Sequence, residues 1–124
     1  MAAKTILIAE DEVEIRELMA MLFENEGITV YKAPDGQAAL DMLGEHRTEI
    51  NLLVTDLGLP KLGGIELIHK AKQMVPSLKI LAASGYSHSD MRAELAKEGV
   101  AEFFPKPFSP VDLLAAAKRL LGMQ

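Results

Sequence analysis

Five polar residues that are far apart in the sequence each stand at the end of a short apolar run. Glu10 and Asp11 follow TILIA, Asp56 follows NLLVT, Ser84 closes LKILAAS, and Lys106 lies just beyond AEFF. Short apolar runs of this kind are typical of buried strands. A carboxylate carried to the end of a buried strand is costly unless a partner offsets its charge. The pattern therefore predicts polar groups at the carboxyl ends of several strands.

If these side chains meet, their types indicate a particular chemistry. Adjacent carboxylates raise each other's pKa unless a cation neutralises them. Oxygen ligands without sulfur or imidazole are typical of Mg²⁺, which keeps several waters and leaves room for a phosphoryl oxygen. A lysine and a hydroxyl opposite the acids would complement such an anion. The set is therefore typical of a site for Mg²⁺ and a phosphoryl group.

Each residue also has an interpretation that involves no chemistry. Asp56 could cap a loop, and Asp11 could cap the first helix as part of a capping box. Glu10 could be a solvated surface acid, Ser84 a turn residue and Lys106 a solvated lysine. Only the combination of all five favours a functional site over these separate explanations.

Strand-like and helix-like segments alternate along the chain. Ser109 followed by Pro110 predicts the start of the last helix. The predicted strands are 5–9, 28–33, 51–55, 78–84 and 101–104, and the predicted helices lie within 10–27, 35–46, 63–75, 90–99 and 109–122. Such alternation predicts an α/β fold, a single-domain doubly wound parallel sheet with helices on both faces. Ligands bind such sheets beyond the carboxyl ends of the strands, where the five polar residues would converge.

The first helix-like segment is amphipathic. Ile15, Leu18, Met19 and Leu22 recur at helical spacing and predict its buried face. Gly27 follows and suits a left-handed helix end.

Composition excludes several classes of protein. The 124 residues are 49% hydrophobic, which argues against disorder, and the absence of cysteine excludes disulfides, thiol catalysis and Cys-bound zinc. The net charge of -5 and the lack of a basic run do not indicate nucleic-acid binding. The apolar runs are too short for a membrane span. His46, His69 and His88 lack metal-ligand spacing and are predicted to lie on the surface.

Four motifs in order resemble one known family, the receiver domains of two-component response regulators, which includes the chemotaxis regulator. The motifs are ILIAEDE (6–12), LLVTDLGLPKLGGIEL (52–67), LAASG (81–85) and FFPKPF (103–108). Each motif is weak alone, but the order and spacing of all four are specific, and the resemblance covers essentially the whole chain. It implies a flavodoxin-like (βα)5 fold with strand order 2-1-3-4-5, and residues 1–124 as one receiver domain.

The resemblance implies roles for individual residues. Asp56 matches the aspartate that accepts a phosphoryl group, and Glu10 and Asp11 match the acidic pair that holds Mg²⁺. Gly58 matches the position whose backbone carbonyl contacts the metal, with the glycine expected to let the backbone come close. Lys106 matches the lysine that contacts the phosphoryl group.

Other residues match family positions that take part in switching, and a few residues depart from the family pattern. Ser84 matches the switch hydroxyl, Phe103 the aromatic residue that turns inward on activation, and Pro107 a proline usually preceded by a cis peptide bond. Tyr86 is expected to cover the phosphoryl group partly. Four residues depart from the family pattern. At the position of Glu10 the family also frequently has aspartate, at Gly63 it often has aspartate, and at Phe103 it often has tyrosine. Proline before the lysine, as at Pro105, is less usual.

The function implied is that of a signalling phosphoacceptor rather than an enzyme, one that assists only its own phosphorylation and dephosphorylation. Its partners would be a histidine kinase or histidine phosphotransfer protein and a downstream protein target, with no direct contact to nucleic acid or membrane. A cytoplasmic monomer or weak homodimer is expected. A stand-alone regulator is the first expectation, and a receiver excised from a hybrid histidine kinase or multidomain regulator the second.

Three alternatives differ in residues that can be checked. A flavin-binding flavodoxin-like protein needs a phosphate loop after the first strand, where this chain has Glu10-Asp11-Glu12. A haloacid-type phosphatase needs a second aspartate two residues after the nucleophile, where this chain has Gly58. A degenerate receiver that acts as a phosphorylation-independent docking module is disfavoured by intact Asp56, Asp11 and Lys106.

Overall fold

The computed structural model describes residues 4–84, 92–106 and 108–123. Strands and helices alternate throughout this part of the chain, as the sequence predicts. The strands are Thr5–Ala9 (β1), Thr29–Ala33 (β2), Leu52–Asp56 (β3), Lys79–Ser84 (β4) and Glu102–Pro105 (β5). The helices are Val13–Glu24 (α1), Gly36–Glu45 (α2), Gly64–Met74 (α3), Arg92–Lys97 (α4) and Pro110–Leu120 (α5). No helix among these is long and apolar enough to cross a membrane.

The five strands form one parallel sheet in the order β2-β1-β3-β4-β5, so the predicted fold class and strand order are confirmed. The register aligns the strand ends: Ala9 lies opposite Thr55, and Asp56 lies opposite Ala83. The last residue of β4, Ser84, lies opposite Pro105 of β5. The carboxyl ends of β1, β3, β4 and β5 therefore share one edge of the sheet.

The core has two layers because the central strands are buried on both faces. In β1, Leu7 and Ala9 face the layer under α2, α3 and α4, whereas Ile6 and Ile8 face the layer under α1 and α5. This two-sided burial explains why the strands appear as continuous apolar runs rather than alternating ones.

The predicted buried face of α1 is partly wrong. Leu18 is 48% exposed, whereas Met19 and Phe23 are buried against the sheet. The local signals at helix ends are confirmed: Gly27 has a φ of 79°, and the Ser109 hydroxyl accepts a hydrogen bond from the N–H three residues on. The helix ends are thus set locally, while the rotation of α1 is set by packing.

Two of the three histidines, His46 and His69, make contacts at the surface, and neither belongs to a group that could hold a metal ion within the described residues. His88 lies outside the described residues. His46 is half-buried and stacks on Tyr31 with ring centroids 4.3 Å apart. His69 is exposed, and its Nδ1 lies 3.0 Å from a carboxylate oxygen of Glu98. These contacts link neighbouring surface elements of the fold.

Candidate functional site

Three carboxylates meet at the carboxyl edge of the sheet. Glu10 and Asp11 follow β1, and Asp56 is the last residue of β3. One oxygen from each lies within 4.8 Å of the others, and no other group of three such side chains with this spacing occurs in the described ranges. Residues separated by 45 positions in sequence therefore form one cluster that could hold a cation.

Glu10 is fixed rather than solvated. It is 1% exposed, and its N–H donates to the Ala33 carbonyl at 3.0 Å, which extends the ladder between β1 and β2. Its Oε2 accepts from the Glu12 N–H at 3.1 Å, and its carbonyl accepts from Arg16 Nη1 at 2.8 Å. The interpretation of Glu10 as a surface acid is wrong, and Arg16 is a supporting residue that the sequence did not reveal.

Asp11 is exposed and does not cap the first helix. The N-cap residue of α1 is Glu12, which makes no side-chain capping bond. The capping interpretation of Asp11 is therefore wrong, and its carboxylate stands at the open side of the acidic cluster.

Lys106, the residue directly after β5, joins the cluster. Its Nζ donates to Glu10 Oε1 at 2.9 Å and lies 3.5 Å from Asp56 Oδ2. The Lys106 side chain is only 15% exposed, and the Lys106 N–H donates to the Ser84 carbonyl at 2.6 Å. The lysine is thus held at both ends, and its interpretation as a solvated residue is wrong.

The electrostatics of the cluster follow from burial and from these pairs. Burial raises the pKa of Glu10, and the hydrogen bonds from Lys106 and from the Glu12 N–H offset this only in part. Burial by itself would lower the pKa of Lys106, but the hydrogen bond to Glu10 and the charges of Glu10 and Asp56 outweigh it and leave that pKa raised. With all groups ionised, three carboxylates and one ammonium leave two negative charges. That charge and the oxygen donors fit a divalent cation.

Two glycines near Asp56, Gly58 and Gly64, differ in what an added side chain would meet. The Gly58 N–H donates to Asp56 Oδ1 at 3.4 Å, and a Cβ on Gly58 would meet only Asp56 Oδ2 at 4.0 Å. At Gly64, a Cβ would lie 2.5 Å from both the Asp56 carbonyl oxygen and Leu57 Cα. The steric need for glycine is therefore at Gly64. In the sequence, the Gly63-Gly64 pair indicates a turn into the next helix but not this close contact.

The two predicted switch residues lie on neighbouring strands. Ser84 is buried at the end of β4, and its carbonyl binds the Lys106 backbone. Phe103 lies on β5 opposite Ala82 and is half-buried against the layer that contains α4. Tyr86 and Pro107 lie outside the described residues.

A five-stranded parallel α/β sheet of this strand order places the chain in the flavodoxin-like fold class, and comparison with known proteins gives the family. The model of the family described as response regulator receiver domain matches residues 6–118. The chain therefore belongs to the response regulator receiver domain family, as the motifs predicted. Receiver domains are phosphoacceptors of two-component systems, bind Mg²⁺ at an acidic pocket, and interact with histidine kinases or phosphotransferases.

Individual relatives are similar over nearly the whole chain. Sporulation initiation phosphotransferase F of Bacillus subtilis is 30% identical over 124 residues, which is 100% of this chain and 98% of that protein. The response regulator receiver protein CpdR of Brucella abortus is 30% identical over 118 residues, which is 95% of this chain and 97% of that protein. A segment of the sensor kinase CckA of Brucella abortus is also 30% identical over 97% of this chain, but that segment is 13% of the kinase.

A solved structure agrees with the fold. The CheY-like receiver domain from Methanospirillum hungatei superimposes with a TM-score of 0.90 at 29% sequence identity. The match covers 98% of this chain and 95% of the other.

Proposed function

We propose that this chain accepts a phosphoryl group from a phosphohistidine onto Asp56, with the help of Mg²⁺, and so switches a protein-interaction face. One observation carries the proposal: Asp56 lies within 4.8 Å of two other carboxylates and 3.5 Å from the Lys106 ammonium. A carboxylate placed between other acids and an ammonium is suited to react with a charged group, in addition to the hydrogen bond that it accepts from the Gly58 N–H.

Glu10, Asp11 and Asp56 are the side chains that would hold Mg²⁺, together with the backbone carbonyl of Gly58. Their oxygen donors fit the ion, and so do the two negative charges that remain when the Lys106 ammonium is counted with the three carboxylates. When bound, Mg²⁺ supplies charge stabilisation to phosphoryl oxygens.

In the proposed step, an oxygen of ionised Asp56 attacks the phosphorus of the phosphohistidine. The new O–P bond forms as the P–N bond breaks, and the imidazole leaves with the electron pair. The Lys106 ammonium, already 3.5 Å from Asp56 Oδ2, offsets negative charge on the phosphoryl oxygens. Water later attacks the phosphorus, releases phosphate and restores the Asp56 carboxylate.

We propose that the output passes through Ser84 and Phe103. Ser84 would follow the phosphoryl group, and Phe103 would repack within β5 beside α4, which shifts the population of a surface used by a protein target. The contact of the Lys106 N–H with the Ser84 carbonyl supports this coupling because it joins the site to both strands.

We propose a histidine kinase or phosphotransfer protein as the donor, a protein as the downstream target, and the cytoplasm as the location. In this proposal residues 1–124 form one receiver domain that works as a monomer or weak homodimer. Apart from its own phosphorylation and dephosphorylation it catalyses no reaction.

The test is intact mass after incubation with acetyl phosphate and Mg²⁺. The wild-type protein should gain the mass of one phosphoryl group and Asp56→Asn should not, because an amide is neither nucleophilic nor anionic. Asp41→Asn is the control: Asp41 is an exposed residue of α2, and this variant should be labelled as wild type is. Full labelling of Asp56→Asn would refute the assignment. If wild type stays unlabelled with both acetyl phosphate and a phosphorylated histidine protein, the phosphoacceptor proposal is refuted, as the docking-module alternative expects.

A further inference from the structure

The loop between β3 and α3, residues 57–63, rests on the first residue of α2. A Cβ added to Gly36 would lie 1.9 Å from the Leu62 carbonyl oxygen, 2.7 Å from its carbonyl carbon and 2.8 Å from its Cβ. These distances are much shorter than van der Waals contact distances, so the loop backbone packs against the side of Gly36 where other residues carry a Cβ. The φ of Gly36 is not in the left-handed region, so the need for glycine there comes from this contact.

A second contact ties the same loop to the residue before Gly36. Lys61 Nζ lies 3.7 Å from Asp35 Oδ2. The other carboxylate oxygen of Asp35 caps α2 by accepting from the Ala38 N–H at 2.8 Å. Asp35 therefore holds the start of α2 and the loop at the same time.

The loop conformation needs such support. Lys61 has a φ of 66°, which is disfavoured for any residue with a Cβ. Leu59 and Leu62, on either side of it, are buried in the layer that also contains α2. A strained backbone persists where the surrounding structure fixes it, and here the surroundings are the N-terminus of α2.

The other end of the loop is fixed at the acidic cluster. Gly64 packs on the Asp56 carbonyl and Leu57, and the Gly64 N–H donates to the Leu57 carbonyl at 3.2 Å. Gly58, whose N–H donates to Asp56 Oδ1, lies between the two anchored ends. The placement of Gly58 relative to Asp56 thus depends on both anchors.

We propose that Asp35 and Gly36 are positioning residues: they set where the 57–63 loop stands against Asp56 and thereby set the affinity of the site for Mg²⁺. This inference rests on the proposed function, in which the Gly58 carbonyl is a metal ligand. It assigns a role in metal affinity to a helix that carries none of the acidic ligands.

The test compares Gly36→Ala with Gly44→Ala in the same helix, where a Cβ would meet only Met74 Sδ at 3.9 Å. Amide NMR spectra of the metal-free proteins report the conformation of the loop. The same spectra recorded during addition of Mg²⁺ give the affinity for Mg²⁺. Both measurements are made well below the unfolding temperature. Gly36→Ala should shift the amides of residues 57–63 and weaken Mg²⁺ binding about threefold to tenfold. Gly44→Ala should do neither.

Two further variants, each of which removes one charge of the Asp35–Lys61 ion pair, test the proposal even if Gly36→Ala does not fold. Asp35→Asn keeps an oxygen for the helix cap but loses the ion pair, and Lys61→Gln loses the same pair from the other side. If the pair positions the loop, both variants weaken Mg²⁺ binding, by about twofold to threefold. A purely long-range charge effect would move the two affinities in opposite directions and would overturn the proposal.

The two proposals fail in different ways. If wild type shows no saturable response to Mg²⁺, the proposed metal site is wrong. Unchanged loop amides in Gly36→Ala, or wild-type Mg²⁺ affinity in Asp35→Asn and Lys61→Gln, would overturn the positioning role alone.

Discussion

Replacing Lys106 with methionine should destabilise the metal-free protein, and Mg²⁺ should restore much of the loss. The Lys106 ammonium lies 2.9 Å from a Glu10 oxygen and 3.5 Å from an Asp56 oxygen. At an effective dielectric constant of about 20, each attraction is about 5 kcal/mol before the penalty for removing these groups from water. That penalty offsets most of the gain, but loss of one partner leaves the other charges buried and uncompensated.

The expected loss at pH 7.5 is about 2–3 kcal/mol, somewhat below the range for fully buried pairs because Glu10 can take up a proton. Burial raises the pKa of Glu10 above the value of 4.5 that it would have when unfolded. Ionised Glu10 therefore opposes folding at neutral pH and ceases to do so as the pH falls through the folded-state pKa. Removal of Lys106 raises this pKa further, so the difference between variant and wild type should shrink as the pH falls towards 4.5.

Urea unfolding followed by far-ultraviolet circular dichroism suits this protein, because the chain has no tryptophan. In excess Mg²⁺ the difference should narrow to about 1 kcal/mol or less, because the divalent ion is no longer repelled by the lysine and binds the variant more tightly. Lys70→Met, an exposed position on α3, is the control and should behave as wild type. The reasoning is refuted if Lys106→Met is as stable as wild type without metal, or if Mg²⁺ stabilises both proteins equally.

Two further predictions concern the elements that support the site. Gly63 is the N-cap of α3 and makes no side-chain capping bond. In urea melts, Gly63→Asp should raise the free energy of unfolding by about 0.5–1 kcal/mol, and by more than Gly63→Ala does. Equal effects of the two substitutions would contradict the capping explanation. Phe23→Ala should cost about 3–5 kcal/mol because Phe23 is 0% exposed in the α1 layer. Met21→Ala, 59% exposed on the same helix, should change stability by less than about 0.5 kcal/mol, and a similar loss in both variants would mean that burial does not set the cost.

The fold could be predicted because its signals are local and repeated. Continuous apolar runs mark strands buried on both faces. The residues at helix boundaries, Gly27 after α1 and Ser109 before α5, act within about one turn. The face of α1 could not be predicted in full, because apolar residues occur around most of that helix. Both Leu18 and Phe23 fit a helical repeat, and only packing against the sheet decides that Phe23 is buried and Leu18 is exposed.

The acidic cluster could be located for a related reason. Parallel strands bring their carboxyl ends to one edge, so the position of Asp56 after an apolar run already places it near Glu10. The contact between Gly36 and the Leu62 carbonyl has no such signal. It joins residues 26 positions apart through the lack of a side chain, and the sequence around Gly36 predicts only the start of a helix.

The contacts of Lys106 show how one residue can connect the acidic cluster to β4 and β5, at one edge of the sheet. Its Nζ reaches Glu10 after β1 and Asp56 in β3, while its N–H is bound to the end of β4 at Ser84. Lys106 itself follows β5 directly, three residues after Phe103. In the proposed scheme, a phosphoryl group on Asp56 adds negative charge on one side of the ammonium and so competes with Glu10 for it. Because the backbone of Lys106 is tied to β4, any resulting shift is transmitted to β4 and β5 together, next to the half-buried ring of Phe103. In this scheme Lys106 couples charge at Asp56 to β5, because its side chain contacts the acids and its backbone directly follows that strand.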